Sequence, residues 1–388
     1  MTSRHAEIVG GGFAGLSAAV ALRHYGWTVT VHERGPAIRS FGSALALSEN
    51  GLKVLEMLGA LEEATRGAFP LNNRETRDGQ GNLISRYDWK TESDELRMFM
   101  LLRSRVISAL ESAALKAGVE IATSSEVIEV TDAGSLVLAS GTTRQGDLVV
   151  VADGAGSRGS LRRSAVKSHS WYDDGSIRLL LPLRNQIPWP AGTFVEYWSG
   201  RRRAMLAPCS EDHFYLGLIA RCDDADGIRV PLDIASWERA FPLLAPFLSR
   251  TGQQERWSWD RYQSIVLKRW HVGKVAFVGD AAHAMSPNFG QGAALAMVSA
   301  LSLAAVLDEE ADTDRALARW EATERPLIDR TQFLSGLYSR LMGWPDRPRS
   351  MVLAMMGRSR WIMKQRTLAA YRTPIGYRPP KAADVHVR

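Results

Sequence analysis

Four short apolar runs punctuate the chain, at residues 8–9, 29–31, 148–151 and 275–278. Their length suits buried strands better than helices. Leu52, Leu55, Leu58 and Leu61 repeat at helical spacing and predict a helix over 52–61; residues 101–117 read as another. Residues 71–90 are polar, with Asp78-Gly79 and Gly81-Asn82 as hairpin turns. The segments 119–121, 127–130 and 136–138 alternate as strands of a meander. From 177 to 218, strands with aromatic and proline interruptions predict a mostly antiparallel module, followed by a short helix pair over 237–248 and a strand over 257–266. A small-residue helix opens at Gly292, and helical patterns continue to about residue 370. The tail from Thr373 reads as poorly ordered.

The first two runs frame a fingerprint. Gly10, Gly12 and Gly15 follow the first strand in G-x-G-x-x-G order, a helical pattern opens at Leu16, and the second strand ends on Glu33. Gly10 allows the tight turn, Gly12 lets the backbone approach a pyrophosphate, and Gly15 allows helix and strand to pack closely. The helix N-terminus offers free N–H groups to phosphates. Glu33 is placed for a ribose diol and repels a 2′-phosphate, which favours FAD or NAD over NADP. The strand runs at 148–151 and 275–278 belong to the same kind of fold, so the dinucleotide domain is assembled from distant parts of the chain. The expected class is α/β. A Rossmann-like FAD-binding domain comprises 1–70, 98–165 and 270–340, and an inserted, mostly antiparallel β-sheet substrate domain comprises 71–97 and 166–269. A C-terminal helical segment (341–372) and a flexible tail (373–388) follow.

Composition narrows the setting. The 388 residues are 45% hydrophobic and 23% charged, ordinary for a globular protein. Two cysteines and no Cys/His cluster argue against a disulfide framework and a structural metal, and fit a cytoplasmic protein. No secretory segment is expected before the first strand. The weakly polar run 292–307 is sixteen residues with two serines, short of a span, and reads as a core helix. The net charge of +6 comes with dispersed arginines, apart from Arg201-Arg202-Arg203 and the group Arg158, Arg162 and Arg163. The expected partner is a small aromatic substrate, with no nucleic acid and no membrane; a monomer or homodimer is expected.

Three stretches together resemble the single-component flavin monooxygenases of the para-hydroxybenzoate hydroxylase type. They are the glycine fingerprint with Glu33, Asp153-Gly154, and Gly279-Asp280 followed by Pro287 and Gly290-Gln291-Gly292. The resemblance implies an FAD-dependent hydroxylase that uses NADH or NADPH and O₂, working through a flavin C4a-hydroperoxide. It implies that Asp280 meets ribityl or ribose hydroxyls, and that Gly290, Gln291, Gly292 and Ala293 open a helix toward the flavin O2 and N1. Arg103 matches the arginine that reaches the FAD phosphates, with Arg105 as a neighbour of the same chemistry. Phe13, Ala14, Arg34, Arg39 and Val127 join the expected cofactor contacts, and Asp153 serves FAD and NAD(P)H. Pro287 lies where its backbone carbonyl is expected to orient oxygen or substrate. His283 is expected to be structural.

Within that family the likeness is nearest to members that hydroxylate and open a pyridine ring. In those, an arginine and a tyrosine twelve residues apart hold the substrate; Arg203 and Tyr215 match here. A pocket tyrosine of those members is replaced by Ala46, which enlarges the pocket or makes it more apolar. A hydroxypyridine carboxylate is the expected substrate, with ring opening undecided. Hydroxybenzoate, salicylate or hydroxyquinoline hydroxylation and other flavin redox work, such as an oxidase, are the alternatives. A halogenase W-x-W-x-I-P motif is absent.

Overall fold

The computed structural model describes residues 4–39, 42–89, 96–157, 159–182, 189–253 and 258–379. Arg158, Trp257 and the tail beyond residue 379 lie outside them. A six-stranded sheet runs His271–Val272, Val275–Phe277, Leu148–Val151, His5–Val9, Thr28–His32, Glu120–Ala122. All pairings are parallel except that of the short edge strand His271–Val272. The central strands are buried almost throughout, as strands covered on both faces must be. Helices Phe13–His24 and Gly292–Glu309 pack against each other in this half. The second helix is long and apolar enough to cross a membrane, but nearly all its residues from Ala294 to Leu307 are buried inside the protein.

A seven-stranded sheet runs Asp260–Leu267, Val166–Pro182, His213–Arg221, Arg202–Pro208, Thr193–Ser199, Asn73–Asp78, Leu83–Asp88. It is antiparallel except where Asn73–Asp78 lies parallel to Thr193–Ser199. Strand alternation gives it two unlike faces. One buries Ile177, Leu179, Leu206, Leu216 and Leu218 against Trp237, Phe241 and Phe247. The other carries Arg178, Arg203, Met205, Tyr215 and Gly217 in neighbouring rows, with Met205 and Tyr215 in the apolar cluster shared with Ala44 and Met100. The α/β class and the antiparallel sheet are thus both observed.

Three expectations are corrected. The helix over 52–61 is two helices, Glu49–Met57 and Leu61–Thr65, because Gly59 between them adopts φ +69°. The segment 119–121 leaves the meander: Glu120–Ala122 completes the parallel sheet beside Thr28–His32, while Val127–Val130, Ser135–Leu138 and Thr143–Gln145 form the three-stranded meander. Residues 373–379 are held in place. Lys53 Nζ donates to Thr373 Oγ1 at 3.0 Å and Tyr377 donates to Glu56 at 2.5 Å.

Candidate active site

The glycine turn divides its labour visibly. Gly10 has φ +103°, and a Cβ there would meet the Ala152 carbonyl oxygen at 2.7 Å. A Cβ on Gly15 would lie 1.9 Å from the Gly10 oxygen, so helix and strand touch there. A Cβ on Gly12 would meet nothing within 4 Å. Beyond Gly12, the helix Phe13–His24 begins without a side-chain cap or an acid in its first turn, leaving N–H groups for a guest. Glu33 holds the turn, accepting from Gly11 N–H at 3.1 Å and Gly35 N–H at 2.9 Å. A carboxylate has further lone pairs, so a diol remains within its capacity.

Two more loops converge on this turn. A Cβ on Gly279 (φ +62°) would lie 2.9 Å from the Ala14 Cβ and 3.3 Å from that of Ala296, which places Asp280 beside both helices. Gly154 and Gly156 also face open space. Arg162, buried, ties the 153–157 loop to Asp280–His283 by donating to Ala281 O at 3.0 Å and Ser157 O at 3.2 Å. Arg103 begins the helix Arg103–Lys116 and lies over the Phe13 ring, 4.5 Å from its centroid. The side chains of Arg103, Asp153 and Asp280 are open to solvent although protein surrounds them, so they line a cleft rather than the outer surface. Burial raises the Asp280 pKa, with Arg103 and Arg178 opposing that rise. Burial likewise raises Asp153, opposed by Ser157, Arg162 and Arg34.

The third wall is the turn Pro287–Phe289, Gly290 at φ +65°, and the helix Gly292–Glu309, whose first turn is uncapped. A Cβ on Gly292 would meet nothing within 4 Å. Gly290 approaches Ala46, whose carbonyl oxygen would be 3.7 Å from an added Cβ. Two of the expected contacts already have partners within the protein. The Pro287 carbonyl accepts from Gly290 N–H at 3.0 Å, so it shapes the turn. The Gln291 side chain points away into a buried ring with Ser48 and Asn50, leaving Gly292 and Ala293 to present backbone.

At the sheet end, Tyr215 and Arg203 share a face but not a row. Tyr215 stands opposite Ala207, Arg203 opposite Ile219, and Gly217 lies between. The Tyr215 ring folds over Gly217, its oxygen 2.5 Å from where a Cβ would be. Burial pushes its phenol up to about 12. Arg203 is 0% exposed and paired with Glu196 at 3.3 Å, with its guanidinium against Trp198 and Tyr338. It is therefore enclosed rather than open to the cleft. Alternation explains the outcome: Arg202 turns to Asp224 and Trp237, and Arg203 turns inward to the sole carboxylate on its face of the neighbouring strand Thr193–Ser199. Arg178, on the same face, is the arginine that is open to the cleft. It lies 5.7 Å over the Tyr262 ring and is charge-coupled to Tyr215, Asp260, Asp280 and Arg103.

Comparison with known proteins decides the family. Residues 4–331 match the family described as FAD binding domain, FAD_binding_3. The chain belongs to this family of flavin monooxygenases. The 2-heptyl-3-hydroxy-4(1H)-quinolone synthase of Mycobacteroides abscessus is 38% identical over 364 residues, covering 93% of this chain and 96% of that one. A Rhodococcus erythropolis protein named for the same activity is 40% identical over 375 residues, covering 96% and 97%. Among solved structures, the tetrameric form of 2-methyl-3-hydroxypyridine-5-carboxylic acid oxygenase superposes with TM-score 0.87 at 34% identity, covering 98% and 99%. The chain is an FAD-dependent aromatic monooxygenase, and NAD(P)H and O₂ are the usual co-substrates of its family.

The monooxygenase cleft has the donors and free space that FAD requires: two uncapped helix starts, open backbone at Gly12, Gly154 and Gly292, and the charged pair Arg103 and Asp280. Arg34, Arg39 and Arg105 are exposed, and Val127 is half-buried at the start of the meander. His283 is buried with its ring 5.1 Å from that of Trp270, and burial pushes its pKa down to about 4. Arg178 and Arg162 were the residues that sequence reasoning missed. A charged residue on the inward phase of the apolar strand Ile177-Arg178-Leu179 was the available signal for Arg178.

Proposed function

We propose that this monooxygenase hydroxylates a 4-quinolone-type ring that carries an oxygen substituent and an alkyl chain. What supports this is the composition of the sheet end. One open cation, Arg178, and the phenols Tyr215 and Tyr262 stand beside an apolar wall of partly buried Ala46, Phe69, Met98, Phe194 and Phe289. A hydroxypyridine carboxylate presents two polar ends and has little use for such a wall, whereas an alkyl chain buries about 0.8 kcal/mol per methylene there. The quinolone synthases at 38% and 40% identity favour the same chemistry.

Bound FAD supplies hydride acceptance from NAD(P)H and the activation of O₂. The reaction balances as ring C–H, O₂, NAD(P)H and a proton giving ring C–OH, NAD(P)⁺ and water. Gly12, Phe13, Ala14, Glu33, Arg103, Asp153, Asp280 and the backbone of Gly290, Gly292 and Ala293 would hold FAD. The uncapped helix start at Gly292 would offer its N–H groups to the bound cofactor. Arg178 binds the substrate's ring oxygen and favours its ionised form, which enriches the neighbouring carbon in electrons. Tyr215 orients the same oxygen. Arg203, one layer behind, fixes the strand through Glu196. Pro287 stiffens the turn against which the ring lies.

The test is a substrate panel on the FAD-loaded enzyme: 2-heptyl-4-quinolone, hydroxypyridine carboxylates and hydroxybenzoates, scored by stimulated NAD(P)H oxidation and a product heavier by one oxygen. Stimulation by the quinolone above the acids is expected. Turnover of a pyridine acid alone would overturn this reading in favour of the pyridine-oxygenase one. Arg178→Met is expected to lower kcat/KM and leave FAD content unchanged.

A further inference from the structure

A second buried polar site lies behind the apolar wall of the cleft, where the edge of the seven-stranded sheet meets the C-terminal helices Asp346–Arg358 and Arg360–Tyr371. Glu196, 0% exposed, accepts from Arg74 and from the Tyr338 hydroxyl, and pairs with Arg203. Arg366 lies over the same Tyr338 ring at 4.7 Å. Three guanidinium groups therefore gather around one carboxylate. Asp174, the next acid facing Arg203, is buried and is held up at about 6 by burial, against the pull of Arg203 and Ser339. Arg349 does not add to the imbalance, since Asp346 pairs with it.

Beside this group is a small cavity lined by Arg74, Arg366, Thr76, Ser85, Tyr87 and Tyr338 together with apolar helix residues, and among the described residues no carboxylate lines it. The space open to the centre of a water-sized guest is about 20 Å³, above the roughly 10–15 Å³ that one water needs. Arg74 Nε and Arg366 Nη2 are buried there without a hydrogen-bond partner. Burial and then Arg74 push Arg366 down to about 10, the mark of a cation short of counter-charge. Buried like charges without compensation are costly, and a cavity walled by N–H and O–H donors is where compensation fits.

We propose that this cavity binds one small monovalent anion, of chloride size, held by Arg74 and Arg366. The anion bridges the sheet edge to the last two helices. Because Arg366 also lies 5.1 Å over the ring of Phe289, in the turn begun by Pro287, the anion steadies the turn at the mouth of the active site.

The experiment uses the FAD-loaded full chain, exchanged into gluconate and titrated at constant ionic strength with chloride, bromide or sulfate. Chloride and bromide should raise the melting temperature by a few degrees and saturate, with gluconate and sulfate flat. Arg366→Met should lose the halide response. On unmodified protein, a bromide-soaked crystal should show an anomalous peak in contact with Arg74 and Arg366. Equal rises in all four salts, or no bromide peak at that place, would overturn the proposal.

Discussion

Gln291 reaches back across 241 residues to accept the side-chain amide of Asn50 at 3.0 Å. Ser48 closes the ring, donating to Asn50 Oδ1 at 2.8 Å and accepting from Gln291 Nε2 at 2.9 Å. All three residues are buried, so the start of the helix Gly292–Glu309 is fixed to the strand Ala44–Ser48 that carries Ala46. Asn50→Ala leaves Gln291 Oε1 without its donor and the Ser48 hydroxyl without its acceptor. The expected cost is about 1–3 kcal/mol, with weaker FAD binding. Thermal melts and titration of apoprotein by flavin fluorescence check both. Unchanged FAD affinity would detach this ring from the cofactor site.

Two glycines of one fingerprint should fail differently. Gly12→Ala places its Cβ in open space at φ −89°, ψ −168°, which alanine accepts. Apoprotein stability should stay within about 0.5 kcal/mol, while FAD is lost on gel filtration. Gly15→Ala drives a Cβ to 1.9 Å from a backbone oxygen that cannot yield, so little folded protein should accumulate. A Gly12→Ala protein that retains full FAD would show that the phosphates do not pass over Gly12.

Glu196→Gln removes the carboxylate on which Arg74, Arg203 and Arg366 converge. Breaking one partner out of a buried ion cluster typically costs about 3–5 kcal/mol, to be read from urea unfolding. Burial raises the Glu196 pKa, but the three arginines outweigh it and pull it down to about 2. Its stabilisation is therefore present above its ordinary 4.5 and lost as pH falls toward 2. A variant as stable as the parent at pH 7 would mean that the cluster is compensated elsewhere.

Asp174 has the opposite sign. Burial raises it from 3.8 to about 6, against the pull of Arg203. Its ionisation therefore destabilises the fold as pH rises through 6. Asp174→Asn should be more stable than the parent at pH 8, by up to about 3 kcal/mol, with little of that gain at pH 4. Melting curves at the two pH values decide it; a difference independent of pH would show that Asp174 titrates normally.

What could be read in advance was local. Gly10, Gly15 and Glu33 act within one βαβ unit, and their spacing suffices to place them. Asp280 was legible because it ends an apolar strand. The substrate end was not. Strand alternation says that Arg178 and Arg203 both face inward, but only the packing of Glu196, Trp198 and Tyr338 decides which is enclosed. Gln291 lay in the right motif, yet its side chain serves partners over two hundred residues away. The break at Gly59 depended on a backbone angle that leucine spacing outvoted. Glu120–Ala122 joined the parallel sheet because His32 offered it an open edge.

The heart of the parallel sheet draws adjacent strands from residues 5–9, 148–151 and 275–277. On the ribosome, Leu148–Val151 waits for its neighbour Val275–Phe277 until nearly three-quarters of the polypeptide has emerged. A nascent chain halted before Val275 would leave one edge of Leu148–Val151 unpaired and lack the last wall for FAD, the helix Gly292–Glu309. Flavin acquisition is thereby a late event of synthesis, and no amino-terminal fragment ending before Val275 should be yellow.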